Sequence, residues 1–594
     1  MIPHLAPSIR PRAAVCLLAA GLAGGCAGGG KAPTPTTGEQ QTAAATETTQ
    51  AVARSATRPS SSVYGNYLAG HVASQHQDLE RAAAFMGKAL ERAPKDPELL
   101  RRSFLLRASM GDMDRALSLA RRMVHTDAEH GAATVLRVLA AVRDGNHARA
   151  RSILEDLPGQ GLSQLVNPLL GAWIALGEGK QPDNVAELAD LNAIEGIDIL
   201  RQVHSALIHD LSERPDKAKA AFDKAAQSSN GLSLRLAWLT ANFYARTGDA
   251  ARARQILDTY LKSNPGSTTA ELIRARVTSD DTPSPLVADA EQGLAEALFN
   301  VAGLLNQQGA RDLALLYAQL SLYVHDEFAF GRMLLGEILA SQGRSEAAIA
   351  AYREIPDESP FTYVAKLRVA SALEDMGKPG EAIGMLRQIA EANPERYEPM
   401  YRIGNMHRSE EAFADAVEAY RAALDRLGET SREHWSLHYF LGIALERTDR
   451  WEAAEAQFKR ALELQPEQPY VMNYLAYSWV EQETNLQRAQ DMLKRAVEQR
   501  PEDGFIVDSM GWVHYRLAHY DKAVRYLERA VELRPTDPVI NDHLGDAYWK
   551  VGRTREARFQ WHRALSLDPD ADVRARIETK LKRGPDAVDK AADG

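Results

Sequence analysis

Three prolines near the C-terminus, Pro501, Pro535 and Pro569, follow one another at intervals of 34 residues. An alanine stands five residues before each proline, and a leucine or tryptophan stands eight residues before it. A fixed period of this length means that the chain repeats one structural unit, which cannot bury its apolar face alone and packs against its neighbours. The repeat therefore predicts a stack of similar units instead of one compact core.

Each unit has the residue pattern of two closely packed helices. In the last copy, Gly545 and Ala557 are small residues where two helices would touch, and Trp561 fills the space beside them. Gly552 would supply the turn, and Pro569 would end the second helix. This pattern resembles the tetratricopeptide repeat, a pair of antiparallel helices. Further copies end at or near Pro466, Gly428, Pro394, Pro360, Pro265 and Pro94.

The resemblance implies an all-α fold, a right-handed superhelical solenoid of roughly fourteen helical hairpins preceded by a disordered tether. Pro283 and Pro285 interrupt the array, either as a hinge or as a long loop, because nearby prolines favour extended or turn backbone. No room remains for a separate catalytic domain. The predicted segments are a lipoprotein signal peptide at 1–25, a lipidated cysteine and tether at 26–62, a degenerate N-terminal array at 63–277, an interrupting loop at 278–290, a C-terminal array at 291–571 and a charged tail at 572–594.

The N-terminus has the features of a secretory signal. Arg10 and Arg12 precede an apolar run, residues 13–23, that is too short to span a bilayer. The only two cysteines are Cys16 and Cys26, so no disulfide framework is possible in the repeats. The sequence Leu-Ala-Gly-Gly-Cys that ends at Cys26 resembles the lipobox of bacterial lipoproteins, which implies that Cys26 is lipidated. Ordinary cleavage nearby, with an incidental cysteine, is the alternative.

The segment after Cys26 has the composition of a flexible tether. Residues 27–62 are mostly Gly, Ala, Thr, Pro, Gln and Ser, and they cannot bury enough apolar surface to fold. A flexible chain of about 36 residues has an r.m.s. reach of roughly 30–36 Å. In the lipoproteins that this N-terminus resembles, an aspartate after the cysteine favours the inner membrane, and Ala27 and Gly28 lack it. The resemblance therefore implies a chain that is lipid-anchored to the outer membrane and faces the periplasm.

Charge and motif content exclude several classes of function. The net charge of −10 argues against a nucleic-acid partner, since phosphate binding needs clustered, uncompensated Lys and Arg. The sequence has no His-Glu-x-x-His, Cys-x-x-Cys or Gly-x-Ser-x-Gly motif. His514 and His519 are five residues apart and share a helix face poorly as metal ligands. We therefore expect no enzymatic activity, no cofactor and no metal.

The first helix of each hairpin is expected to line a concave groove that binds other polypeptides. Aromatic rings offer large contact areas, and Asn can pair with a peptide backbone in both directions. The alternative is that several of these rings merely pack between hairpins. The carboxylates disfavour a clamp for a peptide's C-terminal carboxylate, which would need Lys and Arg. The candidate partner-binding residues are Tyr401, Asn405, Tyr439, Asn473, Tyr477, Asp508, Trp512, Tyr515, Asp542, Asp546 and Trp549.

Three C-terminal segments, 473–479 (NYLAYSW), 503–512 (DGFIVDSMGW) and 538–549 (PVINDHLGDAYW), resemble the long tetratricopeptide lipoproteins of the proteobacterial outer membrane. That family includes the lipoprotein partner of a periplasmic carboxy-terminal processing protease, an adaptor for degrading peptidoglycan hydrolases. The resemblance implies a scaffold that holds protease and substrate together. One alternative is a pilotin-like or envelope-assembly lipoprotein for a secretin or a polysaccharide exporter. Another is a secreted or cytoplasmic repeat protein with a chance lipobox and unrelated partners.

Overall fold

The computed structural model describes residues 62–124, 126, 131–157, 160–180, 197–228, 231–279 and 282–584. These residues form twenty-nine α-helices and a short 3-10 helix, with no β-strand among them, and they confirm the predicted all-α repeat fold. The predicted signal peptide, Cys26 and the tether up to residue 61 lie outside the described residues. The chain divides into two compact units, Met1–Ala382 and Ile383–Gly594.

The first unit contains seventeen complete helices in its described residues. They are α1 (Val63–Gln75), α2 (Leu79–Arg92), α3 (Pro97–Ser109), α4 (Met113–Met123), α5 (Gly131–Arg143), α6 (His147–Leu154), α7 (Ser163–Gly177), α8 (Asp198–Leu211), α9 (Pro215–Ser228), α10 (Leu234–Arg246), α11 (Ala250–Ser263), α12 (Thr268–Val277), α13 (Ala290–Gln307), α14 (Arg311–Val324), α15 (Ala329–Ser341), α16 (Ser345–Arg353) and α17 (Thr362–Asp375). None of the helices described along the chain is both long and apolar enough to cross a bilayer.

The division between the units falls within α18 (Pro379–Ala392). The helices of the second unit are α19 (Glu398–Ser409), α20 (Phe413–Leu427), α21 (Trp435–Glu446), α22 (Trp451–Leu464), α23 (Pro469–Glu481), α24 (Leu486–Gln499), α25 (Gly504–Arg516), α26 (Tyr520–Leu533), α27 (Pro538–Lys550), α28 (Thr554–Ser566) and α29 (Ala571–Arg583). From α19 to α28, consecutive helices pack as hairpins. The first part of the segment predicted as a charged tail, 572–594, belongs to the helix α29.

The repeats of the second unit begin and turn at predictable residues. Asp503 and Asp537 each follow a repeat proline by two residues, and their carboxylates accept hydrogen bonds from the first free backbone N–H groups of α25 and α27. Between the two helices of a hairpin, Ala518 (φ 58°) and Gly552 (φ 81°) are left-handed, which costs least for glycine. The predicted turn at Gly552 is confirmed.

Within a hairpin, a small residue on the first helix faces a large residue on the second. A Cβ atom added at Gly545 would lie 2.5 Å from Trp561 Nε1, and one added at Gly442 would lie 2.6 Å from Phe458 Cε1. Trp561 and Phe458 are themselves fully buried. The repeating residues thus encode the close approach of the two helices, because interiors packed this densely leave no space for an extra carbon atom.

In the first unit, the hairpin α13–α14 packs back onto earlier helices. α13 contacts α7 and α8, and α14 contacts α3 and α5, in addition to their sequence neighbours. Both helices are buried nearly all round, as their apolar composition requires. The repeat pattern predicts nearly all of these residues to belong to the C-terminal array at 291–571. The structure places them in the first unit because they cover the face that α3, α5 and α7 form.

Buried polar contacts hold this hairpin in place. Arg235 of α10 donates from Nε and Nη2 to the carboxylate of Glu296 on α13, with Nη2 2.6 Å from Oε2. Gly293 of α13 lies against the ring of Trp173, where an added Cβ atom would be only 2.1 Å from the indole. Trp173 Nε1 in turn donates to His204 Nδ1 at 3.0 Å. The face that α3, α5 and α7 form is therefore covered by α13 and α14 of the same chain.

Candidate functional site

The first helices of successive hairpins in the second unit contact one another. α19 contacts α21, α23 contacts α25, and α25 contacts α27, more closely than the second helices contact each other. We call the surface formed by α19, α21, α23, α25 and α27 the inner face. All eleven predicted groove residues belong to these helices, three residues before, one after or four after the small residue of the repeat. The predicted lipidation site, Cys26, lies outside the described residues.

On α19, the predicted residues are half-buried and already hydrogen-bonded. The hydroxyl of Tyr401 donates to Ser436 Oγ at 3.2 Å, which links α19 to the next first helix. Asn405 Oδ1 accepts a hydrogen bond of 2.8 Å from the hydroxyl of Tyr420. Burial raises the pKa of the Tyr420 hydroxyl, so this donor keeps its proton. A partner can contact the ring of Tyr401, whereas the oxygen of Asn405 is used within its own hairpin.

The middle of the inner face is rich in tyrosine. The ring of Tyr439 packs 6.2 Å from Phe458 and 6.1 Å from Tyr474, and burial raises the pKa of Tyr439. Burial also raises the pKa of Tyr477, which stays half-buried on α23. The side-chain oxygen of Asn473 is buried and accepts no hydrogen bond. The rings of Tyr439 and Tyr477 are half-buried, and the ring of Tyr439 packs between hairpins. Whether they also bind a partner stays a prediction.

Trp512 lies at the centre of a stacked aromatic group on α25 and α27. Its ring stacks on Tyr515 at 4.7 Å and on His543 at 4.0 Å, with interplanar angles of 4° and 11°. Its Nε1 donates to Glu481 Oε1 at 2.5 Å. Trp512 is 7% exposed and Tyr515 is half-buried. Of this group, Tyr515 therefore offers more surface to a partner than Trp512 does.

Asp508 and His543 form a buried ion pair between α25 and α27. Nδ1 of His543 lies 3.1 Å from both carboxylate oxygens of Asp508. Burial alone would lower the pKa of His543, but the charge of Asp508 and its hydrogen bond outweigh burial and raise it. Asp508 therefore orients His543 under Trp512, and its side chain is not free on a groove wall.

Asp542 and Asp546 lie beneath α29, in a second buried ion cluster. Lys580 Nζ donates to Asp542 Oδ2 at 2.8 Å and to Asp546 Oδ2 at 2.6 Å, and all three side chains are buried. Asp546 Oδ1 also accepts a hydrogen bond of 3.1 Å from Trp561 Nε1. The pKa of Asp546 is raised to about 6, chiefly by burial. The charge of Asp542 also raises this pKa, whereas Lys580 lowers it. The structure thus places these two predicted groove residues in a covered cluster.

Lys580 is a residue of this cluster that was not predicted from the sequence. It was assigned to the charged tail, yet it follows Asp546 by 34 residues and so holds the corresponding position of the next repeat. Val573 and Ile577, spaced as on one helix face, are buried with it. The continued period was therefore the available signal. The last predicted residue, Trp549, is half-buried with its ring 5.5 Å from Trp561.

The described part of the chain contains no group of three or more His, Cys, Asp or Glu residues that could hold a metal ion. The imidazoles of His514 and His519 approach each other, with 3.4 Å between their Nδ1 atoms. Burial lowers the pKa of His514 to about 4, so its ring is neutral in ordinary buffers. Nδ1 of His514 also lies 3.2 Å from Nε2 of Gln490. This contact is expected of a side chain that packs between helices.

Comparison with known proteins supports the repeat assignment. Models of the tetratricopeptide repeat match residues 211–277, 325–361, 367–432, 413–469 and 508–537. A search of curated protein sequences finds no significant match. Similar solved structures include the APC/C heterotetramer Cut9–Hcn1, at 16% identity, a TM-score of 0.36, and coverage of 87% of this chain and 95% of that one.

Two other solved structures are similar at comparable levels. A tetratricopeptide repeat protein from Parabacteroides merdae is 15% identical, with a TM-score of 0.34, and the match covers 42% of this chain and 96% of that one. Yeast Tom70 is 14% identical, with a TM-score of 0.30 and coverage of 89% and 96%. Likenesses this distant carry no argument about partners. The repeat itself indicates a scaffold for protein–protein interaction, and over the matched residues this chain is similar to the tetratricopeptide repeat.

Proposed function

We propose that the chain is a non-enzymatic scaffold whose inner face binds protein partners through α19–α25. The observation that carries the proposal is a set of half-exposed rings, Tyr401, Tyr439, Tyr477 and Tyr515, that recur on the first helices of an interaction repeat. Tyrosine rings bring large contact areas with few rotatable bonds, so they lose little entropy on binding. The covered cluster below α29 leaves α27 a smaller part in binding.

The partner in this proposal is a periplasmic carboxy-terminal processing protease, together with its substrates, such as peptidoglycan hydrolases. The scaffold is anchored to the outer membrane through a lipidated Cys26. The support is the resemblance of segments 473–479, 503–512 and 538–549 to outer-membrane adaptor lipoproteins, and the lipobox-like sequence before Cys26. Holding enzyme and substrate on one chain raises their effective concentration for each other to the millimolar range for short linkers.

The test is a reconstituted degradation assay with purified full-length chain, protease and a peptidoglycan hydrolase. The chain alone should degrade nothing, and adding it to the protease should speed loss of the hydrolase about tenfold or more at sub-saturating concentrations. Tyr477→Ala should remove most of this gain, because its ring belongs to the inner face. Phe559→Ala is the matched control, since that ring is 67% exposed on α28, outside the inner face. Equal degradation with and without the chain would reject the adaptor role.

Capture from envelope extracts discriminates between the candidate partners. Recovery of the processing protease by the full-length chain, and its loss with Tyr477→Ala, would support the adaptor. Recovery of a secretin or a polysaccharide exporter with the same dependence on Tyr477 would favour the assembly role instead. Partners that bind both variants equally would remove the inner face from the proposal.

The anchor is tested separately by Cys26→Ser. The unsubstituted chain should incorporate labelled fatty acid and fractionate with outer membranes, and the variant should do neither. A variant that fractionates as the unsubstituted chain does would reject the anchor and leave the inner-face proposal intact.

A further inference from the structure

Helix α1 carries a stripe of exposed apolar side chains. Tyr64 is 80% exposed, Leu68 is 59% exposed and Val72 is 39% exposed. The three residues are spaced by four and therefore lie on one face of the helix. The other large apolar side chains that are exposed in the described part of the chain, Leu313 and Phe559, stand alone on their helices.

The opposite face of α1 is the one that packs into the array. Asn66 and Gly70 are buried there, and a Cβ atom added at Gly70 would lie 3.0 Å from Met86 Cγ on α2. The stripe therefore lies on the face of α1 opposite to the one that packs into the array. Contiguous apolar surface of this kind on a soluble domain marks a place where another surface binds.

Charge around the stripe is low or paired. α1 (VYGNYLAGHVASQ) contains no Asp, Glu, Lys or Arg. Arg102 lies over the ring of Tyr67 at 5.2 Å and is paired with Glu98. An occupant of the stripe would therefore be recognised by its apolar character rather than by its charge.

The position of α1 in the chain places the stripe near the proposed lipid anchor. It is the first described helix, and about 36 residues separate its start from Cys26. The tether predicted from composition would reach roughly 30–36 Å. We propose that the stripe of Tyr64, Leu68 and Val72 docks onto the lipid surface of the membrane that holds the Cys26 anchor. This inference rests on the proposed lipid anchor. An uncharged helix face with a tyrosine at one end suits the apolar-to-polar boundary of a bilayer.

Three apolar side chains bind a bilayer weakly by themselves. On a chain that is already anchored nearby, the same contact becomes intramolecular, so a weak affinity is enough to keep α1 on the surface. The stripe would thus fix which end of the first unit lies at the membrane.

The experiment uses full-length chain matured in a bacterial host and reconstituted into phosphatidylethanolamine–phosphatidylglycerol vesicles. A fluorophore is attached at Leu68→Cys or, as the control, at Phe559→Cys. Both positions are exposed, so labelling should not unfold the chain. Lipids with spin-labelled acyl chains should reduce emission from position 68 at least twofold, leave position 559 unchanged, and lose their effect at position 68 when Tyr64→Ser and Val72→Ser are added.

Each other outcome overturns the inference in a recognisable way. Vesicle-bound chain with equal emission at positions 68 and 559 would reject the lipid contact while leaving the anchor intact. Chain that does not associate with vesicles at all would reject the anchor and this inference with it. Dimers that form without vesicles and dissociate on Tyr64→Ser and Val72→Ser would assign the stripe to a second copy of the chain.

Discussion

Acid should destabilise the first unit through one buried histidine, His204. Its ring is fully buried, Nδ1 accepts the hydrogen bond from Trp173, and Nε2 has no hydrogen-bond partner. Since an indole N–H can only donate, neutral His204 carries its proton on Nε2. If Nδ1 of His204 were also protonated, its N–H would face the N–H of Trp173, and neither donor would have an acceptor there. The carboxylate of Glu296 acts on His204 through its charge, and it is itself paired with Arg235.

The loss of unfolding free energy on acidification can be calculated from the pKa of His204. Burial lowers the pKa of His204 from 6.5 to about 4, with the carboxylate of Glu296 opposing the shift. A base with a depressed folded pKa contributes stability that is fully present above its unfolded pKa and is lost as the pH falls through the folded one. At 1.36 kcal/mol per pH unit, the free energy of unfolding falls by roughly 3 kcal/mol in total, of which roughly 2 kcal/mol is lost between pH 7 and pH 5.

The assay is amide hydrogen exchange of α7 and α8 at pH 7 and pH 5, corrected for intrinsic exchange rates. His204→Asn keeps an acceptor near the position of Nδ1 and cannot titrate, so it should be less stable at pH 7 and should lack this roughly 2 kcal/mol of the loss on acidification. His76→Asn is the control, because His76 is exposed in the same unit. Equal losses in the His204→Asn and unsubstituted chains would refute the reasoning.

Three further predictions concern the second unit. Lys580→Met should leave two buried carboxylates uncompensated and cost about 3 kcal/mol, seen as faster proteolysis and exchange of α29, whereas the exposed Lys582→Met should change neither. Gly545→Ala should lower the free energy of unfolding by about 1–3 kcal/mol through overpacking, seen as a lower urea midpoint, while Gly87→Ala, with open space around it, should not. The pKa of His543 is raised, so the stability that His543 contributes is present below pH 6.5 and is lost as the pH rises through the folded pKa. Hydrogen exchange of α27 should therefore become faster over this pH range, and His543→Gln should abolish the pH dependence.

The fold of the second unit was predictable because its information is local. Each repeat carries its own small residue, its facing large residue and its terminal proline within 34 residues, as Gly545, Trp561 and Pro569 illustrate. Contacts between residues this close in sequence leave a periodic pattern. The inner-face register could be predicted for the same reason.

The packing of α13–α14 could not be predicted from that pattern. Gly293 lies against Trp173, a residue 120 positions earlier, and no repeat period encodes a contact at that separation. The burial of Asp542 and Asp546 was missed for a related reason. Charged residues at groove positions were expected to face a partner, and the cation that covers them, Lys580, comes from beyond the last repeat proline.

The hairpin α13–α14 has a further consequence for how the chain unfolds. In an array where each hairpin touches only the next, melting can start at an end and advance one hairpin at a time, as expected for the second unit. In the first unit, α13–α14 ties together helices that are far apart along the chain. Losing any one of them exposes apolar surface on the others, so that unit should melt in a single cooperative transition.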